Sequence, residues 1–470
     1  MGDQRVDVIS QLRAAIKGQV ITPDDTTYDK ARTGFYGGFD ARPAVIARPV
    51  DAADVSAVVS IARDSDTELA VRSGGHSVAG HSTSEGGIVL DLSAMKALDI
   101  DVQGQTVWAE AGLTAGEVLS ATAAYGLAVG FGDTGSVGIG GITLGGGIGF
   151  LVRKYGLTID DLLAAELVTA DGQIRQVDAD TNQDLFWAIR GGGGNFGVVT
   201  RFRYRLHPVD MILGGMLILP ASPELIASFV AEAEAAPEEL SAIAMVMTAP
   251  PMPFLPPEAH GKLILMTLMV YAGDIEAGER AIAPFRALAT PIADMIRPMR
   301  YIEMYPPEAE EYHPVAASRT MFLDSVDEQT AALMLEHLRK SSGQMSVTQI
   351  RVLGGAVARV PADATAFAHR NRRMMVNVAA LYGQPDEASV HEAWVSAFAS
   401  ALAQGEAGAY VNFLGNEGEA GVRAAYPGAT WDRLARIKAQ YDPTNLFRLN
   451  QNISPAVDAV RPGESDGAAT

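Results

Sequence analysis

Three glycine-rich stretches hold the residues best suited to chemistry in this chain. The first, Arg72-Ser73-Gly74-Gly75-His76-Ser77, follows directly on the apolar run Leu69-Ala70-Val71. A strand that runs into two glycines bares backbone N–H groups, and with one imidazole at the rim these make a grip for a phosphate-bearing cofactor. The second stretch comprises Gly130, Gly132, Gly135, Gly138, Gly140, Gly141, Gly145, Gly146, Gly147 and Gly149. Such a density disfavours an ordinary strand or helix, because each glycine adds unfolded-state entropy that folding must remove. It contains Gly138-x-Gly140 but puts Thr143 where a dinucleotide fingerprint needs glycine, without a clean strand-to-helix context. A nicotinamide-type Rossmann site is therefore rejected, which leaves a cofactor cradle or a tightly wound sheet corner. The third stretch, Arg190-Gly191-Gly192-Gly193-Gly194-Asn195-Phe196-Gly197, again places unhindered backbone before a strand. Together the three predict a long, anionic, extended ligand threaded through one pair of subdomains.

The elements that must present these stretches read as two compact α/β units. In residues 43 to 92, Ala44 to Ala47, Leu69 to Arg72 and Ile88 to Leu92 are strands. Asp51 or Asp54 caps a helix through Arg63, with Val55, Val58, Val59 and Ala62 at helical spacing. In residues 106 to 208, Val107 to Ala109 is a strand, Thr114 caps a helix through Tyr125, and 167 to 174 is a hairpin turning on Asp171-Gly172. Asp184 to Ile189 is a short helix, and strict alternation from Val198 to Leu206 gives a strand with one wet face. Composition shifts at Pro208: glycine thins, helical patterns at 223 to 236 and 274 to 288 alternate with apolar strands such as Leu263 to Val270, and the prolines of 250 to 257 impose a loop. The expected organisation is an N-terminal segment 1–37, a unit 38–208, a separate domain 209–405, a C-terminal segment 406–456 and a flexible tail 457–470.

Bulk properties narrow the function. With 470 residues, 48% hydrophobic and 20% charged, the chain is globular and large enough for several cores. Thirty-six Lys and Arg against 56 Asp and Glu give a net charge of -20, which argues against nucleic acid and anionic lipid as partners. The absence of cysteine removes disulfides, thiolate metal sites and cysteine nucleophiles, and no metal site is expected. Neither a secretory signal nor a membrane-length apolar run is evident, so the expectation is a cytoplasmic monomer or homodimer.

Several spaced motifs resemble one family. Arg72-Ser-Gly-Gly-His76-Ser, Gly135-Ser-Val-Gly-Ile-Gly-Gly141, Leu185 to Thr200 and the terminal Tyr441 to Ile453 are similar, in the right order, to the berberine bridge enzyme-like oxidoreductases. These are FAD-linked enzymes of the vanillyl-alcohol oxidase or PCMH type, and the resemblance covers roughly residues 38 to 208 and 408 to 455. It implies an α+β architecture: a PCMH-type FAD-binding domain of two subdomains, completed by the C-terminal segment, with an inserted α/β substrate domain built on an antiparallel sheet. It also implies that His76 bonds covalently to the 8α-methyl of FAD. Thr134 stands where many members carry a second, cysteine anchor, so only a single link is possible, as in bacterial 6-hydroxynicotine oxidase-like members. By the same resemblance, residues 72 to 77 and 135 to 141 (Gly135, Val137, Gly138, Gly140 and Gly141 among them) hold pyrophosphate and isoalloxazine, with Thr134 beside them. Gly146, Gly147, Gly149 and Val199 lie along the ribityl–adenosine part, Asn450 and Asn452 approach the ring from the tail, and His81 is a polar loop neighbour.

The substrate side follows less directly. The resemblance assigns the strand Gln349 to Gly354 to the flavin face, and period two puts Gln349, Arg351 and Leu353 on one side. Members often carry a carboxylate base on this strand, and here it has none. Arg351 is a poor base but suits an anionic substrate or an alkoxide. Tyr410 and Asn412, alternating on an expected strand 409 to 413, are further pocket residues, and a tyrosine lowered in pKa by a nearby arginine would take the proton. Ordinary sheet polarity remains the competing account of all four. The implied reaction moves hydride from a substrate C–H to flavin N5 and electrons to O2, giving hydrogen peroxide. An alcohol of a sugar or natural product is the first substrate, and an amine the second. An O2-avoiding dehydrogenase and a flavin-containing binding protein without catalysis stay open.

Overall fold

The computed structural model describes residues 2–307 and 312–456, and the tail 457–470 expected to fray lies outside them. A four-stranded sheet runs in the order Gln19–Ile21, Val45–Arg48, Ile88–Asp91, Leu69–Arg72. Its last three strands are parallel and nearly all apolar, as strands covered on both faces must be. Asp51 caps the helix Ala52–Asp64 by accepting from the Asp54 N–H, while Asp54 accepts from the backbone of Lys17, Gly18 and Val50. The N-terminal segment is built into this layer. Gln19–Ile21 pairs with Val45–Arg48, and Val8, Leu12 and Ile16 join the core around Val55, Val58 and Val59.

A second, wholly antiparallel sheet has five strands in the order Leu98–Asp101, Thr106–Glu110, Val198–Arg205, Leu162–Val168, Ile174–Asp178. Thr114 and Glu117 form a reciprocal capping box, and that helix ends at Ala123, short of Tyr125. The hairpin turn at Asp171-Gly172 joins the two strands expected of it.

Residues 211–382 form an eight-stranded antiparallel sheet with central order Met211–Pro220, Leu263–Tyr271, Leu240–Thr248, Met345–Val352, Met374–Tyr382, Val315–Leu323. Helices Pro223–Ala235, Ile275–Ala287, Glu328–Arg339 and Ala388–Leu402 cover one face, where Ile350, Val352, Val376 and Val378 meet Phe229, Met334 and Phe398. Period two then turns Gln349, Arg351, Asn377 and Ala379 to the opposite face, towards the first two sheets. The proline-rich run stays out of the ladder and lays Leu255 over the far end of the sheet, against Met247 and Ile264.

The C-terminal segment returns to the first core, where Leu414, Tyr426, Leu434, Phe447 and Ile453 pack with residues of the second sheet. The strand expected at 409 to 413 is absent. Val411–Phe413 is a 3-10 turn, since the Phe413 N–H finds the Tyr410 carbonyl at 2.9 Å instead of a neighbouring strand. No helix among the described residues is long and apolar enough to cross a membrane.

Candidate cofactor and substrate cavity

The three glycine stretches, the C-terminal segment and the free face of the large sheet enclose one cavity of about 520 Å3. Arg72, Ser73, Gly74, Gly75, His76, Ser77 and His81 all line it. Arg72 supports the loop from behind, donating to Asp91 at 3.1 Å and to the Ala31 carbonyl. Ser73 Oγ donates to the Ala111 carbonyl at 2.6 Å and accepts from the Gly140 N–H at 3.3 Å, tying the first stretch to the second. Gly74 and Gly138 face each other so closely that a Cβ on either would collide with the other's nitrogen.

His76 is fixed from two sides. Its ring stacks on Phe35, centroids 3.9 Å apart, and Nε2 lies 3.0 Å from Ser136 Oγ. Burial pushes the imidazole down to about 4 against the pull of the Ser136 backbone, so it is neutral at physiological pH. Burial lowers His81 as well.

Thr134, Val137, Gly138, Gly140 and Gly141 form the second wall, and Gly193, Gly194, Asn195 and Val199 the third. A Cβ on Gly141 or Gly194 would meet nothing within 4 Å, so these two glycines look onto open space. Gly135, Gly146, Gly147 and Gly149 lie outside the lining. A side chain on Gly147 would strike Thr158, and one on Gly149 the Phe131 carbonyl. These glycines let the turn behind the wall pack tightly. Asn450 lines the cavity and its Oδ1 is buried without a partner among the described residues; Asn452 lies just outside, with Oδ1 in the same condition.

Gln349, Arg351, Tyr410 and Asn412 are brought together on the remaining side. Arg351, 3% exposed, donates from Nε to Gln349 Oε1 at 3.0 Å, from Nη1 to the Ile148 carbonyl at 2.7 Å and from Nη2 to Asp133 Oδ2 at 2.6 Å. Its charge is thus already matched, and an anionic substrate has little left to bind. Tyr410 oxygen accepts from the N–H groups of Gly147 at 2.9 Å and Ile148 at 3.2 Å and from Asn412 Nδ2 at 2.9 Å. The expected lowering of its pKa does not occur. Burial raises the phenol, and the hydrogen bonds and Arg351 only partly offset this because that cation is tied to Asp133.

Sequence reasoning missed Asp133, Asn377 and Phe35. A charged residue inside the glycine run marked Asp133, and a lone amide in the apolar run Met374–Tyr382 marked Asn377. Nothing local marked Phe35, whose role depends on where the chain folds back over His76.

The residues fit an extended cofactor with a phosphate-rich middle: a bare-backbone cradle, a neutral imidazole held at its rim and an orphaned amide oxygen from the tail. Comparison with known proteins gives the same picture. Family models match at residues 43–178, an FAD binding domain, and at 409–454, described as berberine and berberine like. The (R)-6-hydroxynicotine oxidase of Paenarthrobacter nicotinovorans is 32% identical over 457 residues, covering 94% of this chain and 97% of its own. A xylooligosaccharide oxidase of Thermothelomyces thermophilus is 27% identical and matches over 88% of each chain. The crystal structure of 6-hydroxy-D-nicotine oxidase from Arthrobacter nicotinovorans superposes with a TM-score of 0.85 at 29% identity, over 94% of this chain and 98% of that one.

Proposed function

The chain belongs to the berberine and berberine-like FAD-dependent oxidoreductases, and from that premise we propose that it is an oxidase whose FAD is joined by one covalent bond to His76 and whose substrate is an alcohol. The observation that supports this most directly is the neutral, oriented imidazole at the rim of the glycine cradle. A neutral ring keeps a lone pair for a bond to carbon, and Phe35 and Ser136 hold it in one orientation at the rim. Thr134 offers no thiol for a second link.

FAD held in the cradle would supply the acceptor for the substrate hydride, with O2 taking the electrons and hydrogen peroxide as product. The protein's residues position and deprotonate. Gly74, Gly138, Gly140, Gly141 and Gly194 offer backbone to the cofactor, and Asn450 lines the same cavity from the tail. Tyr410 takes the hydroxyl proton in its ionised form and becomes the phenol as it does so; the three N–H donors that converge on its oxygen favour the phenolate that must be present beforehand. Asn412 is held for this by its second bond, to the Ile142 carbonyl at 3.0 Å. An amine is the second reading, favoured by the 32% identity to an enzyme named for hydroxynicotine.

Acid precipitation of the purified protein tests the attachment. Wild type should stay yellow in the pellet and fluoresce on a denaturing gel, and His76→Ala should release its flavin to the supernatant. Colour that washes out of the wild type ends the covalent reading.

A further inference from the structure

The part of the cavity wall that the large sheet supplies changes character along its strands. Gln349 and Asn377, opposite each other on Met345–Val352 and Met374–Tyr382, make a polar row next to Arg351. Two residues further along the same face the lining is Ala379 and Ser318, and two beyond that it is Leu381 and Ala316. Ala379 and Ser318 are buried, whereas Leu381 and Ala316 are half-buried and keep carbon surface for a ligand. Pro314 and Tyr312 carry the wall past the strand end, and Phe35 and Tyr36 join it from the N-terminal segment. These two stretches are tied together. The Gly37 N–H donates to the Pro314 carbonyl at 3.0 Å, and the Phe35 and Tyr312 rings meet edge to face with centroids 6.1 Å apart. Tyr312 lines the cavity and is 48% exposed, which marks its mouth. Among the described residues, the charged side chains of the lining are Arg72, Asp133 and Arg351, all outside this stretch, and both arginines are buried in ion pairs. A ligand reaching from Tyr410 to the mouth therefore passes from polar groups to carbon.

We propose, resting on the oxidase reading above, that this stretch is a subsite for the non-reacting part of the substrate, and that the substrate is an aromatic or alicyclic alcohol rather than a sugar, with Leu381 the residue that selects it. The stretch is continuous with the cavity that holds Tyr410, so its occupant is the far end of whatever reacts there. A ring laid against Leu381, Ala316, Pro314 and Tyr312 removes carbon surface from water on both partners. A sugar ring in the same place would give up water from several hydroxyls, and the row of Leu381 and Ala316 has no polar side chain to replace it. The polar row and the apolar one thus divide the substrate into a hydroxyl end and a hydrocarbon end.

The test is binding to the yellow holoenzyme, read from the change in flavin absorbance, with tertiary alcohols, which have no carbinol C–H to oxidise. The phenyl-bearing 2-methyl-4-phenylbutan-2-ol should bind about tenfold or more tightly than tert-butyl alcohol. Methyl xylobioside, of similar length but covered in hydroxyls, should bind no more tightly than tert-butyl alcohol. Leu381→Gln, which puts an amide into the apolar row, and Ala316→Phe, which fills it, should each retain flavin and weaken the phenyl alcohol by about tenfold or more, with a smaller effect on tert-butyl alcohol. Equal affinity of wild type for the two tertiary alcohols, a xylobioside bound as tightly as the phenyl alcohol, or a phenyl advantage intact in either variant overturns the proposal. Because the tertiary alcohols cannot be oxidised, the oxidase reading fails separately, when no oxidisable alcohol bleaches the flavin.

Discussion

Tyr410 is the residue on which proton removal turns in this account, and its surroundings fix the sign of a pH effect. Burial holds the phenol above its ordinary pKa of 10.0, so the phenolate fraction at neutral pH is small and grows with each unit of pH. The kcat/KM for an alcohol should therefore climb from pH 7 towards pH 10. Tyr410→Phe keeps the ring packing against Phe367 and Phe413 but removes the base. Steady-state kinetics on that variant should show a rate lower by about 10²–10⁴-fold with the alkaline rise gone. A Tyr410→Phe profile parallel to wild type would move the base elsewhere. Such detail was partly legible beforehand. Tyr410 and Asn412 could be named as pocket residues from their alternation along 409 to 413, but the strand drawn through them does not form, because that stretch closes into a 3-10 turn and only the fold shows that. Arg351 was recognisable as a cation on the right face, whereas its partner Asp133 lies 218 residues away in sequence and no local pattern links them.

At the scale of elements, the glycine clusters were the most readable feature, since bare backbone at such density signals close approach wherever it falls. Their division of labour was not readable. Gly138 and Gly147 look alike in sequence, yet one abuts Gly74 beside the cavity and the other makes room for Thr158. Gly138→Ala should consequently fold with little cofactor, visible as a fall in the ratio of flavin to protein absorbance. The C-terminal segment is fastened by a similarly non-local device. Lys438, fully buried, donates to the carbonyl of Asn195 at 2.7 Å, to Asp442 Oδ2 at 2.6 Å and to the carbonyl of Phe447 at 2.9 Å. Asn195 in turn accepts from the Ile453 N–H and donates to the Gln451 carbonyl, so one cation and one amide hold the tail against the third glycine stretch. Lys438→Met strands Asp442 in the interior and should destabilise the protein by about 3–5 kcal/mol in urea unfolding. A loss under about 1 kcal/mol would show that the tail is held mainly by its apolar contacts.

Across the whole molecule, the FAD-binding sheets and the large sheet meet over the cavity, and His369 is one of the joints. It is 5% exposed and hydrogen-bonds through Nε2 to the Ala424 and Ala425 carbonyls of the C-terminal segment at 3.0 and 3.1 Å. Burial depresses it from 6.5 to about 4. Above pH 6.5 both folded and unfolded states carry the neutral ring. Between 6.5 and 4 the unfolded chain binds a proton that the folded one refuses, so stability falls as pH falls, by up to ~1.4 kcal/mol per unit. Urea midpoints at pH 7.5, 6.5 and 5.5 should drop in that order, and His369→Gln should flatten the last step. The same meeting of units gives the chain its proposed reaction, because the cradle comes from one side and Gln349 and Arg351 of the large sheet from the other. Anaerobic mixing of the yellow holoenzyme with a panel of alcohols tests that claim most directly. The account predicts bleaching of the flavin by at least one alcohol, followed on admission of air by return of the colour and one hydrogen peroxide per flavin. A flavin that stays oxidised through the whole panel, while amines bleach it or nothing does, would contradict it.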